Sequence, residues 1–186
     1  GMGAIEGGIR VPAMIRWPGK NIEVNLNEIN TATTLMDFFP TILESVGLPT
    51  MPNEHLDGIS IVPALKSNAK LPKRNFYWHY PHYDETTPYS SILSGDWKLI
   101  KYLDDNSLEL YNLALDPMES LNLIDSYPEK REEMVNLLNK ELNSVNAQPA
   151  IPNPNFDPNK FSGAWNFGTE KNTVTSVLGM ITRVKH

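Results

Sequence analysis

Apolar positions along this chain follow two periods. Between residues 75 and 112 they alternate with a period near two. "NFYWHY" (residues 75–80) is aromatic and strand-like until Pro81 breaks it. "SSILSGDWKLIKYLDDNSLELYNL" then reads as three further strands, parted by turns at Ser94-Gly95-Asp96 and Asp104-Asp105-Asn106. Elsewhere the period is helical. In "SYPEKREEMVNLLNKELNSV" (residues 126–145), Met134, Leu137, Leu138, Leu142 and Val145 fall on one stripe. Ser126 and Glu129 have capping-box spacing there, and Pro128 suits the first turn. In "TATTLMDFFPTILESVGLP", Leu35, Phe38, Phe39, Ile42, Leu43 and Val46 mark a second helix. Pro40 belongs in its first turn, with Thr34 or Met36-Asp37 near the cap. Gly47 followed by Pro49 stops it.

The remaining segments are short. Residues 11–17 predict an apolar strand, entered through Gly7-Gly8 and closed by Pro18-Gly19. The glycine pair is expected where a backbone passes too close for a Cβ. Residues 56–68, "LDGISIVPALKSN", read as a turn and a short apolar piece. After Gln148, "QPAIPNPNFDPNKF" holds four prolines in fourteen residues and should be extended. Residues 173–181 supply material for one more strand. No internal repeat is visible.

Composition narrows the function classes. The 186 residues suit one domain, or one domain with part of another. Net charge is −6 and no Lys/Arg run rises above the acidic background, which argues against nucleic acid or anionic lipid as partner. With no cysteine, disulfides, thiolate metal sites and cysteine nucleophiles are excluded from this chain. No apolar run approaches the roughly 18 residues of a membrane span. No signal peptide is visible, and the compartment is left open. Gly1 before Met2 reads as the scar of a cleaved tag.

Candidate chemistry is sparse. The histidines are His55, His79, His82 and His186. His79 and His82 lie three apart across Pro81, which forbids the regular helix that would align them as a metal pair. By default such residues are partly buried histidines at a strand end. Asp57-Gly58 and Asp104-Asp105 are turn residues. Gly7-Gly8 is not a phosphate loop, because no Lys-Ser/Thr follows. No catalytic residue and no metal ligand is assigned.

Six stretches occur in order: "EGGIRVPAMIRWPGK", "LMDFFPTILESVGLP", "LDGISIVPAL", "FYWHYPHY", "SILSGDWKLIKY" and "LELYNLALDPMESLNL". Together, from about residue 6 to 145, they resemble the C-terminal portion of a type I, arylsulfatase-like sulfatase of the alkaline phosphatase superfamily. The resemblance implies a parent that hydrolyses sulfate esters of a sulfated saccharide or an aryl sulfate. It implies a formylglycine nucleophile, from a Cys or Ser in a C/S-x-P-S/A-R setting, and a bound calcium ion. It also implies a sulfate-holding lysine about five residues before the Glu of "EGG", a place that here falls at Gly1. "SYPEKR" (residues 126–131) only superficially resembles the maturation motif: Glu129 stands where a small residue belongs, and Lys130 where the arginine belongs.

The expected fold is α/β in ancestry and α+β in this piece. Residues 1–70 are expected to be the C-terminal edge of the catalytic domain. Residues 71–147 should be a small subdomain with an antiparallel sheet of about four strands and one packed helix. Residues 148–186 are an unassigned tail. The chain is expected to be inactive alone and to lack a cofactor of its own, the missing N-terminal catalytic half being its partner. His79 and His82 are the candidate substrate-binding residues, since the resemblance brings subdomain loops to the rim of the active site. Periplasmic or secreted location is compatible with such a parent. The apolar strand at 11–17 and the stripe of the second helix would want cover, from a second copy across an exposed edge or from the tail. Two other readings are another superfamily hydrolase (a phosphodiesterase or phosphonate hydrolase) and a non-catalytic glycan- or partner-binding module.

Overall fold

The computed structural model describes residues 3–17, 32–54, 57–67, 69–82, 87–151 and 154–155. They fall into two compact units, Gly1–Pro12 with Arg74–His186, and Ala13–Lys73.

The first unit is built on four antiparallel strands in the order β1-β2-β3-β4: β1 Asn75–Tyr80, β2 Tyr89–Ser94, β3 Trp97–Tyr102 and β4 Leu108–Asn112. The turn residues fix this meander. Gly95 turns β2 into β3 at φ +58°, and Asn106 holds φ 58° between β3 and β4, a conformation glycine and asparagine tolerate best. The register sets Tyr77 opposite Ile92, Ile92 opposite Leu99, and Leu99 opposite Leu110. Alternation then puts that row on one face. Helix α4, Pro128–Ser144, covers it with Met134 and Leu138. Leu137 and Leu142 pack at the margin as expected, whereas Val145 caps the helix end and is exposed. The expected Ser126–Glu129 capping box does not form. The N-cap is Tyr127, whose ring meets Trp97 edge-on at 5.2 Å. That contact commits the cap position to an aromatic. On the outer side of β4, Leu110 N–H donates to Asn122 Oδ1 and Leu110 C=O accepts from Leu123 N. That edge is therefore occupied.

The opposite face of the sheet is aromatic. Tyr89, Ile100 and Tyr111 form its buried centre with Ala4, flanked by Trp78, Tyr80, Tyr102 and Leu113. Residues 4–9 enter this layer. Here the sequence reading is corrected: Glu6–Ile9 is a short helical turn, α1, and residues 11–17 form no strand. A strand exists only with a neighbour to receive its ladder bonds, and no strand among the described residues pairs with this one. A Cβ on Gly7 would meet nothing within 4 Å, so close backbone approach does not explain it.

The second unit holds a 3-10 turn at Leu35–Asp37, helix α2 at Phe38–Ser45 and helix α3 at Val62–Ser67. Pro40 sits in the first turn of α2, as expected. Helix α3 replaces the short apolar piece of the sequence reading. The face α2 buries is Asp37, Pro40 and Thr41, while Phe39, Ile42 and Val46 are exposed. Asp37 Oδ1 accepts from Ile59 N at 3.0 Å and Oδ2 from Thr34 N at 2.8 Å. Thr41 Oγ1 donates to Asp37 C=O at 2.5 Å and accepts from Ile61 N at 3.0 Å. The loop is drawn so close that a Cβ on Gly58 would stand 2.1 Å from the Met36 carbonyl oxygen. Glycine is required there.

Candidate functional site

His79 projects from β1 on the side of Tyr77, toward the face that α4 covers. Both ring nitrogens are engaged. Nδ1 lies 2.8 Å from Ser90 Oγ on the paired strand, and Nε2 lies 2.7 Å from the Gln148 carbonyl oxygen. A carbonyl only accepts, so Nε2 carries a proton. In the neutral ring, Ser90 then donates to Nδ1. His79 thereby straps the start of the C-terminal segment to the sheet. His82 is exposed, and its ring meets that of Tyr80 edge-on at 5.6 Å. Tyr80 belongs to the aromatic face and stacks near Tyr89 at 5.9 Å. The two histidines therefore keep different company on either side of β1 and do not form one constellation. His55 and His186, and residues 173–181, lie outside the described residues.

The aromatic face holds a cluster that sequence reasoning missed. Lys98 is fully buried there, with Nζ 3.0 Å from Glu6 Oε1 and 2.7 Å from Glu119 Oε1. Glu119 Oε2 also accepts from the Glu6 backbone N–H at 2.5 Å. Glu119 adopts φ 53°, a left-handed conformation that a residue with a Cβ adopts at a cost. One signal was available. In "WKLIKY" strict alternation sets Lys98 in the row of Ile100 and Tyr102, and a lysine in an apolar row needs a buried counter-charge. Nothing local marks Glu119.

Nearby phenols are held protonated. Burial pushes the Tyr111 hydroxyl well above its usual range, helped by the negative charge and hydrogen bonding of Glu109. Burial alone raises Tyr89. Neither phenol serves as a base near neutral pH. Among the described residues no group of three or more His, Cys, Asp or Glu could hold a metal ion. No described helix is long and apolar enough to cross a membrane.

Comparison with known proteins agrees with this architecture. The family described as N-sulphoglucosamine sulphohydrolase, C-terminal, matches residues 4–148. A sulfatase of Formosa agariphila is 33% identical over 139 residues, 68% of this chain and 25% of that protein. Mouse (Mus musculus) arylsulfatase K is 29% identical over 160 residues, 81% of this chain and 27% of that protein. A protein solved in complex with its substrate D-glucosamine-2-N,6-O-disulfate superposes with a TM-score of 0.51 at 26% identity, over 63% of this chain and 25% of that one. The chain thus spans about a quarter of the length of these relatives. From the strand meander to the end of the packed helix, the match covers the elements described above, and this chain belongs to the sulfatase C-terminal family.

Proposed function

We propose that this chain is the C-terminal part of an enzyme that hydrolyses the sulfate esters of a sulfated saccharide, and that it has no turnover alone. The observation that carries this reading is the family match over residues 4–148, joined to a structural relative whose substrate is a disulfated glucosamine. Formylglycine and calcium belong, on this reading, to the rest of the parent. The chain holds no cysteine, and its described residues offer a metal no converging ligand set. No step is routed through either group here.

This chain's own contribution would be placement. Residues 1–70 are read as the edge of the catalytic domain and residues 71–147 as the subdomain. The first twelve residues group with the sheet. Of the two histidines, exposed His82 beside Tyr80 is better placed to donate a hydrogen bond to a sugar hydroxyl. His79 would act behind it by holding Gln148. The exposed Phe39, Ile42 and Val46 of α2 are read as the surface that the remainder of the parent covers. The upstream reading frame tests the proposal. A C/S-x-P-S/A-R motif supports it. A Thr or Ser nucleophile with a two-metal ligand set would instead make the parent a phosphodiesterase or phosphonate hydrolase.

A further inference from the structure

We propose that Lys98 and Glu119 are positioning residues, a buried ionic clamp that fixes the Glu6-Gly7-Gly8 segment on the sheet and so sets where that segment enters the active site of the parent sulfatase. The part about the active site rests on the function proposed above. The clamp itself rests on geometry alone. Lys98 is fully buried on a face of aromatic and aliphatic side chains, between a carboxylate from the N-terminal segment and one from the connection after β4. Two carboxylates share one amino group, so Lys98 is held from both sides. A buried ionic group of this kind is poor at adding stability and good at selecting one arrangement, because each partner left alone is strongly disfavoured.

Three further observations point the same way. Glu119 holds φ 53°, which a glycine would adopt without strain but without the carboxylate that reaches Lys98. Its second oxygen accepts the Glu6 amide at 2.5 Å, so it grips the segment by backbone as well as by charge. Behind that contact the segment closes on itself, with Gly8 N–H and Ile9 N–H donating to Ile5 C=O and Arg10 N–H to Glu6 C=O. Releasing Glu119 therefore frees a whole turn rather than one side chain. The sheet beneath keeps its own core of Ile92, Leu99 and Leu110 under α4, which does not depend on the trio.

Residue-resolved hydrogen exchange on the 186-residue chain tests the clamp. In Glu119→Gln and Glu119→Gly, the amides of Glu6, Gly8, Ile9 and Arg10 should exchange roughly ten to a hundred times faster, the range expected for losing a hydrogen bond to a charged group. Amides of Leu99 and Leu110 should stay within about threefold. The glycine variant is the sharper one: it relieves the strained backbone, so slower or unchanged exchange at residues 6–10 would overturn the clamp. A uniform rise over segment and sheet together would also overturn it, reducing the trio to general stability. Lys98→Met, which leaves two facing carboxylates, should show the same pattern more strongly. In the longer sulfatase, Glu119→Gln should lower kcat for a small aryl sulfate at least tenfold with KM within about threefold, as misplacement of reacting groups does. Unchanged kcat beside faster exchange at residues 6–10 would refute the positioning role. If the unmutated longer protein has no sulfatase activity, the functional reading falls, and exchange on the shorter chain still decides the clamp.

Discussion

Helices α4 and α2 both carry an apolar stripe and use it in opposite ways. Helix α4 turns Met134 and Leu138 onto Ile92, Leu99 and Leu110, as an amphipathic helix does over a sheet. Helix α2 buries Asp37 and Thr41 and leaves Phe39, Ile42 and Val46 exposed. The difference teaches that a stripe states a need for cover and does not say where the cover is. For α4 the partner is the meander that precedes it. For α2 the buried side is decided by polar contacts. The Ile59 and Ile61 amides need acceptors, Asp37 and Thr41 supply them, and those bonds turn the apolar residues outward.

Substitutions on the two helices should therefore rank against what hydrophobicity alone implies. Leu138→Ala opens a cavity under α4 and should cost about 2–5 kcal/mol. Denaturant unfolding followed by tryptophan fluorescence would read it, and a loss under about 1 kcal/mol would break the comparison. Asp37→Ala leaves the Thr34 and Ile59 amides without their acceptor and should cost about 1–3 kcal/mol in the α2 unit. Hydrogen exchange at Thr34 and Ile59 is the readout, and unchanged protection would contradict the account.

The third effect is confined to alkaline pH and to the sheet unit. Tyr89 and Tyr111 have folded-state pKa values raised above their ordinary 10.0. A raised value means that the unfolded chain loses its protons first. The stabilisation is thus fully present below about pH 10 and is lost as pH rises beyond it. Tyr111→Phe should flatten that loss, as seen in thermal midpoints measured on both sides of pH 10. The smallest effect belongs to the exposed stripe. Ile42→Ser should change the stability of this chain by no more than about 0.5 kcal/mol, because no described residue covers it. A loss near that of Leu138→Ala would show that α2 is covered after all, by a second copy of the chain or by its tail. Light scattering at several concentrations would tell those two apart.

Legibility in the sequence followed the range of the interactions. β1 to β4 and α4 could be read because alternation, Gly95, Asn106 and Pro128 are local signals. The buried face of α2 could not, since it depends on amides of Ile59 and Ile61 about twenty residues away. Residues 11–17 have strand composition, but pairing is not a local property. The capping-box spacing at Ser126 was present in the sequence and yielded to the packing of Tyr127 on Trp97. At the candidate site, the position of His79 at a strand end was legible. Its bond to Gln148 was not, because 69 residues separate the partners. Lys98 could have been flagged by its place in an apolar row, whereas Glu119 had no local mark.

The central claim is that this chain is one part of a sulfatase and does not carry the chemistry itself. Sulfate release from an aryl sulfate and from D-glucosamine-2-N,6-O-disulfate, measured with calcium for the 186-residue chain and for the longer protein read from its upstream frame, tests it most directly. The account predicts release by the longer protein and none by this chain above a matched blank. Turnover by the 186-residue chain that survives re-purification would contradict it.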